Sequence, residues 1–173
     1  MFKLKTNRLL LRDFCEEDVA PYQIIGSHPE VLKYYAHTAE EWHTRAVDLV
    51  HLFMQQSQAM PRLSYTLAIV AKEAFIGVVS IRTESVAHRQ GSIGCSLAIE
   101  HWSNGYAAEA MKAAIALGFE TLNLHRIYAE TISENKAAIA LAQRVGLRVE
   151  GEFKECQRFK GQWWNQTILS ILK

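Results

Sequence analysis

The chain has 173 residues, the length of one ordinary domain, and 49% of them are hydrophobic with 10% aromatic, enough to close one core. Nineteen Lys and Arg against eighteen Asp and Glu leave a formal charge of +1, which excludes a global field steering the chain to nucleic acid or an anionic membrane. Cys15, Cys95 and Cys156 are odd in number and lack metal-ligand spacing, so a reducing cytoplasm suits them better than a disulfide framework.

No repeat, low-complexity tract or Pro/Gly/Ser linker interrupts the sequence, so one domain over residues 1–173 is expected. The apolar run Leu9-Leu10-Leu11 is cut by Arg12 and Asp13 and reads as neither signal peptide nor membrane span. Residues 6–12 read as a first strand, and Glu16-Glu17-Asp18 suits the positive end of a short helix reaching about Ile25. Thr38 and Glu41 have capping-box spacing, which predicts a longer helix over residues 39–57. Alternating Tyr65, Leu67 and Ile69, the polar Lys72-Glu73 and the run at 75–81 predict a hairpin, and a third strand at 92–99 extends it to a meander.

A tight turn containing Gly105 leads into a helix with Ala107, Met111, Ala114 and Leu117 on one face. A strand at 127–131, a helix at 135–145 stopped by Gly146, and strands at 147–153 and 163–172 about Lys160-Gly161 complete the order. The order predicts an α+β sandwich around a mostly antiparallel sheet of about seven strands.

A strand that ends at a Gly-bearing turn and opens a helix presents unpaired N–H groups at the positive end of the helix dipole. In residues 103–108 every side chain but Tyr106 is small, so an anion can approach the amides; the loop alone fits a plain turn equally well. The Lys-Ser/Thr pair of a nucleotide P-loop is missing after Gly105, and so is the three-glycine dinucleotide fingerprint.

Several ordered motifs carry a more specific resemblance. Trp102-Ser103-Asn104-Gly105-Tyr106-Ala107-Ala108-Glu109-Ala110 resembles the acetyl-CoA pyrophosphate loop of GNAT N-acetyltransferases, with its Gln/Arg-x-x-Gly-x-Gly/Ala core. Leu124-His125-Arg126-Ile127, Asn135-Lys136-Ala137-Ala138, Val145-Gly146-Leu147 and Glu150-Gly151 resemble the second half of that fold. The opening Thr6-Asn7-Arg8-Leu9-Leu10-Leu11-Arg12 and the final 161–172 segment are similar to the RimJ/RimL-like ribosomal-protein acetyltransferases.

The resemblance implies that Ser103, Asn104, Gly105, Tyr106, Ala107 and Ala108 hold the pyrophosphate through their amides. It also implies that the strand edge at Leu97, Ala98 and Ile99 pairs with the pantetheine arm, as a strand adds to a sheet. Asn135 matches a pantetheine-bonding position, and Arg144 can reach a phosphate. The implied chemistry is direct transfer from acetyl-CoA to a primary amine of a protein N-terminus or small molecule, with a backbone amide near Ile99 at the oxyanion, no metal, and a homodimer as an allowed assembly. The chain departs from the pattern at Ala138, Gln157 and Asn165, which replace polar or acidic family residues and cannot exchange protons at neutral pH. Trp102 replaces the loop's polar first residue. Glu100, with His101 beside it, and then Glu155 are the remaining bases, unless a chain of waters serves; a catalytically weakened acyl-CoA-binding or regulatory module is the rival function. An RNA-binding surface is disfavoured by the neutral charge. His37, His43 and His51, with Trp42, Tyr34 and Tyr35, fall where the fold covers its acceptor cleft, without zinc-ligand spacing. No partner for a nucleophilic Cys156 is legible.

Overall fold

The opening run does not make one strand. The computed structural model, which describes residues 1–173, divides it into β1 (Lys3–Lys5) and β2 (Leu10–Asp13), paired antiparallel about a turn. Thr6 closes that turn: its N–H donates to the Leu9 carbonyl at 2.9 Å and its hydroxyl accepts the Leu9 N–H at 3.0 Å. A Thr hydroxyl that bonds nearby backbone competes with a strand ladder and favours a turn. The sheet consequently has eight strands where about seven are expected, in the order β1-β2-β3-β4-β5-β6-β8-β7.

Two short helices follow β2: α1 (Val19–Ser27) and α2 (Pro29–Leu32). The sequence pattern does not announce α2, which starts with Pro29 in its first turn and with His28 Nδ1 accepting the Glu30 N–H. Next comes α3 (Ala39–Ser57), with the capping box its sequence predicts. There the Thr38 hydroxyl accepts the Glu41 N–H at 3.2 Å and Glu41 Oε2 accepts the Thr38 N–H at 2.7 Å.

β3 (Ser64–Ala71), β4 (Ala74–Ser85) and β5 (Gln90–Leu97) form the antiparallel meander. The remaining elements are α4 (Tyr106–Glu120), β6 (Arg126–Ile132), α5 (Lys136–Arg144), β7 (Arg148–Phe159) and β8 (Gln162–Leu172). β5 and β6 run parallel and pair only where Gln90, Gly91 and Ser92 face Arg126, Ile127 and Tyr128. Beyond Ser92 they part, and the gap between them is the fold's main asymmetry. β6 continues instead along β8.

Side-chain alternation assigns the two faces of the sheet. Leu67, Ile69, Val79 and Ile81 join Met111, Ala114 and Leu117 of α4 in a core of 23 buried residues. Ala68 points to the other face, where Phe14, Tyr22, Trp42, Ala46 and Val50 make a second core beneath α1 and α3. The large core therefore anchors α4, whose N-terminus opens at the gap between β5 and β6.

Candidate active site

Leu97 lies opposite Gly77, and the adjacent Ala98 N–H donates to the Ile76 carbonyl at 2.9 Å. In an antiparallel ladder that pattern marks a non-hydrogen-bonded pair, so the N–H and C=O of Leu97 point away from β4 and into the gap. Cys95, two residues earlier, turns its backbone the same way. Of the expected 97–99 edge, only Leu97 belongs to the strand: Ala98 gives its N–H to β4, and Ile99 begins a one-turn 3-10 helix, Ile99–His101. The chain has to bend there to carry the loop over to α4. The Leu97 carbonyl already accepts the Trp102 indole N–H at 2.9 Å, so Trp102 lies along the exposed strand edge.

The loop itself is built from left-handed residues, Ser103 at φ 61° and Gly105 at φ 78°. Gly105 caps α4 with no side chain. The first helical bond runs from the Glu109 N–H to the Gly105 carbonyl at 3.1 Å, which leaves the N–H groups of Gly105, Tyr106, Ala107 and Ala108 without a helical partner. Four amides at a positive helix end make an anion cradle.

A cavity of about 600 Å³ connects the cradle with the strand edge. Leu97, Ser103, Gly105, Tyr106, Ala107 and Ala108 line it from one side, and Asn135 and Arg144 of the α5 region from the other. Ala98, Ile99 and Asn104 do not line it. Asn135 is the N-cap of α5, its Oδ1 accepting the Ala138 N–H at 3.2 Å, and its Nδ2 has no partner within the chain. The Arg144 guanidinium is likewise free of ion pairs.

Residues 8–148 match the family model described as an acetyltransferase (GNAT) domain. The chain belongs to the GNAT acetyltransferase family. It is 27% identical over 170 residues, covering 98% of this chain and 96% of the relative, to the uncharacterized N-acetyltransferase YoaA of Bacillus subtilis. It is 25% identical to the spermidine N(1)-acetyltransferase of Escherichia coli K12, covering 94% and 85% of the two chains. Among solved structures, Mycobacterium smegmatis RimJ in complex with CoA-disulfide superposes with a TM-score of 0.81 at 23% identity, over 95% of this chain and 81% of that one.

The other end of this GNAT cavity gathers segments that lie far apart in sequence. Glu30, Tyr34 and Tyr35 line it from α2 and the residues after it, and Glu134 from the loop before α5. The Tyr34 hydroxyl donates to the Glu134 carbonyl at 3.2 Å, and its ring meets Trp164 of β8 edge-on at 6.1 Å. Lys160, at the tip of the β7–β8 hairpin, donates to the Leu32 and Lys33 carbonyls at 2.6 and 3.3 Å. His37 stacks on Trp42 at 5.0 Å, His51 pairs with Glu16 at 3.2 Å, and neither these two nor His43 lines the cavity. No cluster of three His, Cys, Asp or Glu side chains is placed to hold a metal.

Glu100 and Glu155, the two carboxylates expected as bases, are both exposed, and neither lines the cavity. Glu100 sits in the 3-10 turn. Glu155 occupies a bulge of β7 at φ 48°, its N–H held by Asn165 Oδ1 at 2.8 Å, so Asn165 serves the hairpin backbone. Among the residues with titratable side chains on the lining, His101 is the sole imidazole. The sequence gives no local sign of Glu30, Cys95 or Glu134 in the site, because three separate segments bring them there. Burial pushes the Cys95 thiol up to about 12, so it stays protonated at neutral pH and is no thiolate nucleophile. Cys156 is exposed, and its sulfur is near only the Trp164 carbonyl and Gln166.

Proposed function

We propose that this protein transfers the acetyl group of acetyl-CoA directly to a primary amine held at the Tyr34 end of the cavity. The observation that carries the reading is the meeting, in one cavity, of four unpaired helix N–H groups with a strand edge that no neighbouring strand pairs, where only the Leu97 carbonyl is taken, by the Trp102 indole. The amides suit a pyrophosphate, and the Leu97 edge suits the amides of a pantetheine arm. Asn135 Nδ2 and Arg144 supply further donors to the cosubstrate. The Leu97 N–H, facing the gap, is the amide available to polarise the thioester carbonyl.

A neutral amine then attacks that carbonyl, the coenzyme A thiolate leaves, and the amine proton passes to His101. A neutral imidazole can accept a proton at its bare ring nitrogen, and this one lines the cavity while Glu100 and Glu155 do not.

The acceptor in this proposal is a small alkylammonium. Support comes from Glu30 and Glu134, acidic residues that line the cavity together with Tyr34 and Tyr35, and from the spermidine-acetylating relative. A cytoplasmic setting belongs to the same reading, supported by three free cysteines; no helix is long and apolar enough to cross a membrane. The test is steady-state acetyl transfer from acetyl-CoA to spermidine and to a peptide with a free N-terminus. Higher kcat/KM on spermidine is the expected result. Preferred transfer to the peptide contradicts the acceptor, and no transfer to any amine favours a weakened acyl-CoA-binding module.

A further inference from the structure

The turn between β1 and β2 is fastened to the start of α4, 101 residues further along the chain. The Thr6 hydroxyl and the Arg8 N–H donate to Glu109 Oε1 at 2.6 and 2.7 Å. Arg8 Nε donates to Glu109 Oε2 at 2.7 Å, and Arg8 Nη1 donates to the Asn104 carbonyl at 2.9 Å. The guanidinium also lies over the Tyr106 ring, 4.6 Å from its centre. Burial acts to raise the Glu109 carboxyl, but the donors from Thr6 and Arg8 outweigh it and hold the group below the usual carboxylate range.

Two physical consequences follow for the loop. First, in the trans peptide joining Asn104 to Gly105 the C=O and N–H point in opposite directions. Arg8, which does not line the cavity, holds the carbonyl on its own side, so the Gly105 N–H is turned toward the cavity that Gly105 does line. Glycine tolerates either sign of φ, so this peptide has little intrinsic resistance to flipping, and a flip would present an oxygen to an anion. Second, Glu109 places a carboxylate in the first turn of α4. Unpaired, that charge would oppose a second anion at the same helix end; paired with Arg8, it does not.

We propose that Arg8 is a positioning residue of the cosubstrate site: it fixes the Asn104–Gly105 peptide and neutralises Glu109, and so keeps the α4 amides presented to the pyrophosphate of coenzyme A. This rests on the acetyl-CoA reading above. It adds that the β1–β2 turn, remote in sequence and outside the cavity, sets the affinity of the phosphate cradle.

The experiment compares two acetyl donors, acetyl-CoA and S-acetylpantetheine, which lacks the pyrophosphate and nucleotide. Both are assayed with the full chain, Arg8→Ala and Arg8→Lys, after circular dichroism has checked the fold. Arg8→Ala is expected to raise the KM for acetyl-CoA about tenfold, with kcat changed by less than about twofold, the split of a group acting through binding. The KM for S-acetylpantetheine is expected to move by less than about twofold, since the cradle has no phosphate to hold. Arg8→Lys is expected to fall between, because an ammonium can neutralise Glu109 but cannot bridge two partners as a planar fork. If Arg8→Ala does not fold, the donor preference of Arg8→Lys carries the test. Equal losses on both donors overturn the proposal, because they mean that Arg8 merely holds the fold together. An unchanged acetyl-CoA KM in both folded variants overturns it as well. A wild-type chain that binds no coenzyme A overturns the acetyltransferase reading itself, before any variant is compared.

Discussion

Proton transfer is decided by single side chains, and here it separates His101 from Glu100. The two are neighbours in sequence, yet only His101 reaches the cavity lining. His101→Gln is expected to lower kcat at neutral pH by about a hundredfold while leaving the coenzyme A affinity in place. Glu100→Gln is expected to retain the rate within about twofold, as befits an exposed carboxylate away from the reacting atoms. Parallel pH–rate profiles of the two variants check this, and a collapse in Glu100→Gln with a normal His101→Gln would reverse the assignment. The Gly105 turn is legible in the sequence because it is local, but it is the whole Trp102–Ala110 motif, not the turn, that marks it as an anion loop. The partnership of Arg8 with Glu109 is invisible there, since nothing in either segment specifies contact across 101 positions. Trp102 stands out in the sequence only as a departure from a motif; its bond to the Leu97 carbonyl appears once the 3-10 turn folds the indole back on the strand.

At the level of elements, α1 and α3 touch at a glycine. A Cβ on Gly26 would come 2.0 Å from Cε2 of Trp42, a buried ring packed edge-on by Tyr22 at 5.2 Å and stacked by His37 at 5.0 Å. Gly26→Ala must push the two helices apart or evict the indole, and is expected to cost about 1–3 kcal/mol. Urea denaturation measures the loss, and coenzyme A affinity should survive it, because α1 and α3 cover the sheet face opposite α4. Unchanged stability would mean that the indole relocates freely. Elements with local signatures are legible in sequence: the Thr38–Glu41 box starts α3, Gly146 at φ 105° follows α5, and Lys160 and Gly161 at φ 51° and 78° turn the last hairpin. Elements set by competition are not. The apolar residues at 9–11 suggest an uninterrupted strand, but the Thr6 hydroxyl captures the Leu9 amide first. α2 has four residues, too few to show a period.

In the molecule as a whole, function follows from a sheet that fails to stay closed. β5 and β6 share three residue pairs and then diverge, α4 rests on the large core with its N-terminus at the divergence, and the β7–β8 hairpin and α2 close the far end through Lys160. The β3–β5 meander, the last hairpin and the place of α4 after β5 are legible in the sequence; the β6-β8-β7 order is not, because alternation does not specify a strand's neighbour. The acceptor end is legible only at Tyr34 and Tyr35; Glu30, Glu134 and Lys160 reach it from segments far apart in sequence, which no local pattern joins. Central to this account is that the cradle at Gly105 binds the phosphates of coenzyme A. A β-branched side chain at Gly105 would have to adopt φ 78° and would stand 3.3 Å from Arg8 Nη2, so it both strains the loop and disturbs its clamp. The decisive measurement is calorimetric titration of coenzyme A into the wild-type protein and Gly105→Val. The account requires binding at one site per chain in the wild type and a loss of at least about tenfold in the folded variant, equivalent to about 1.4 kcal/mol. Equal affinity in the two proteins would contradict it.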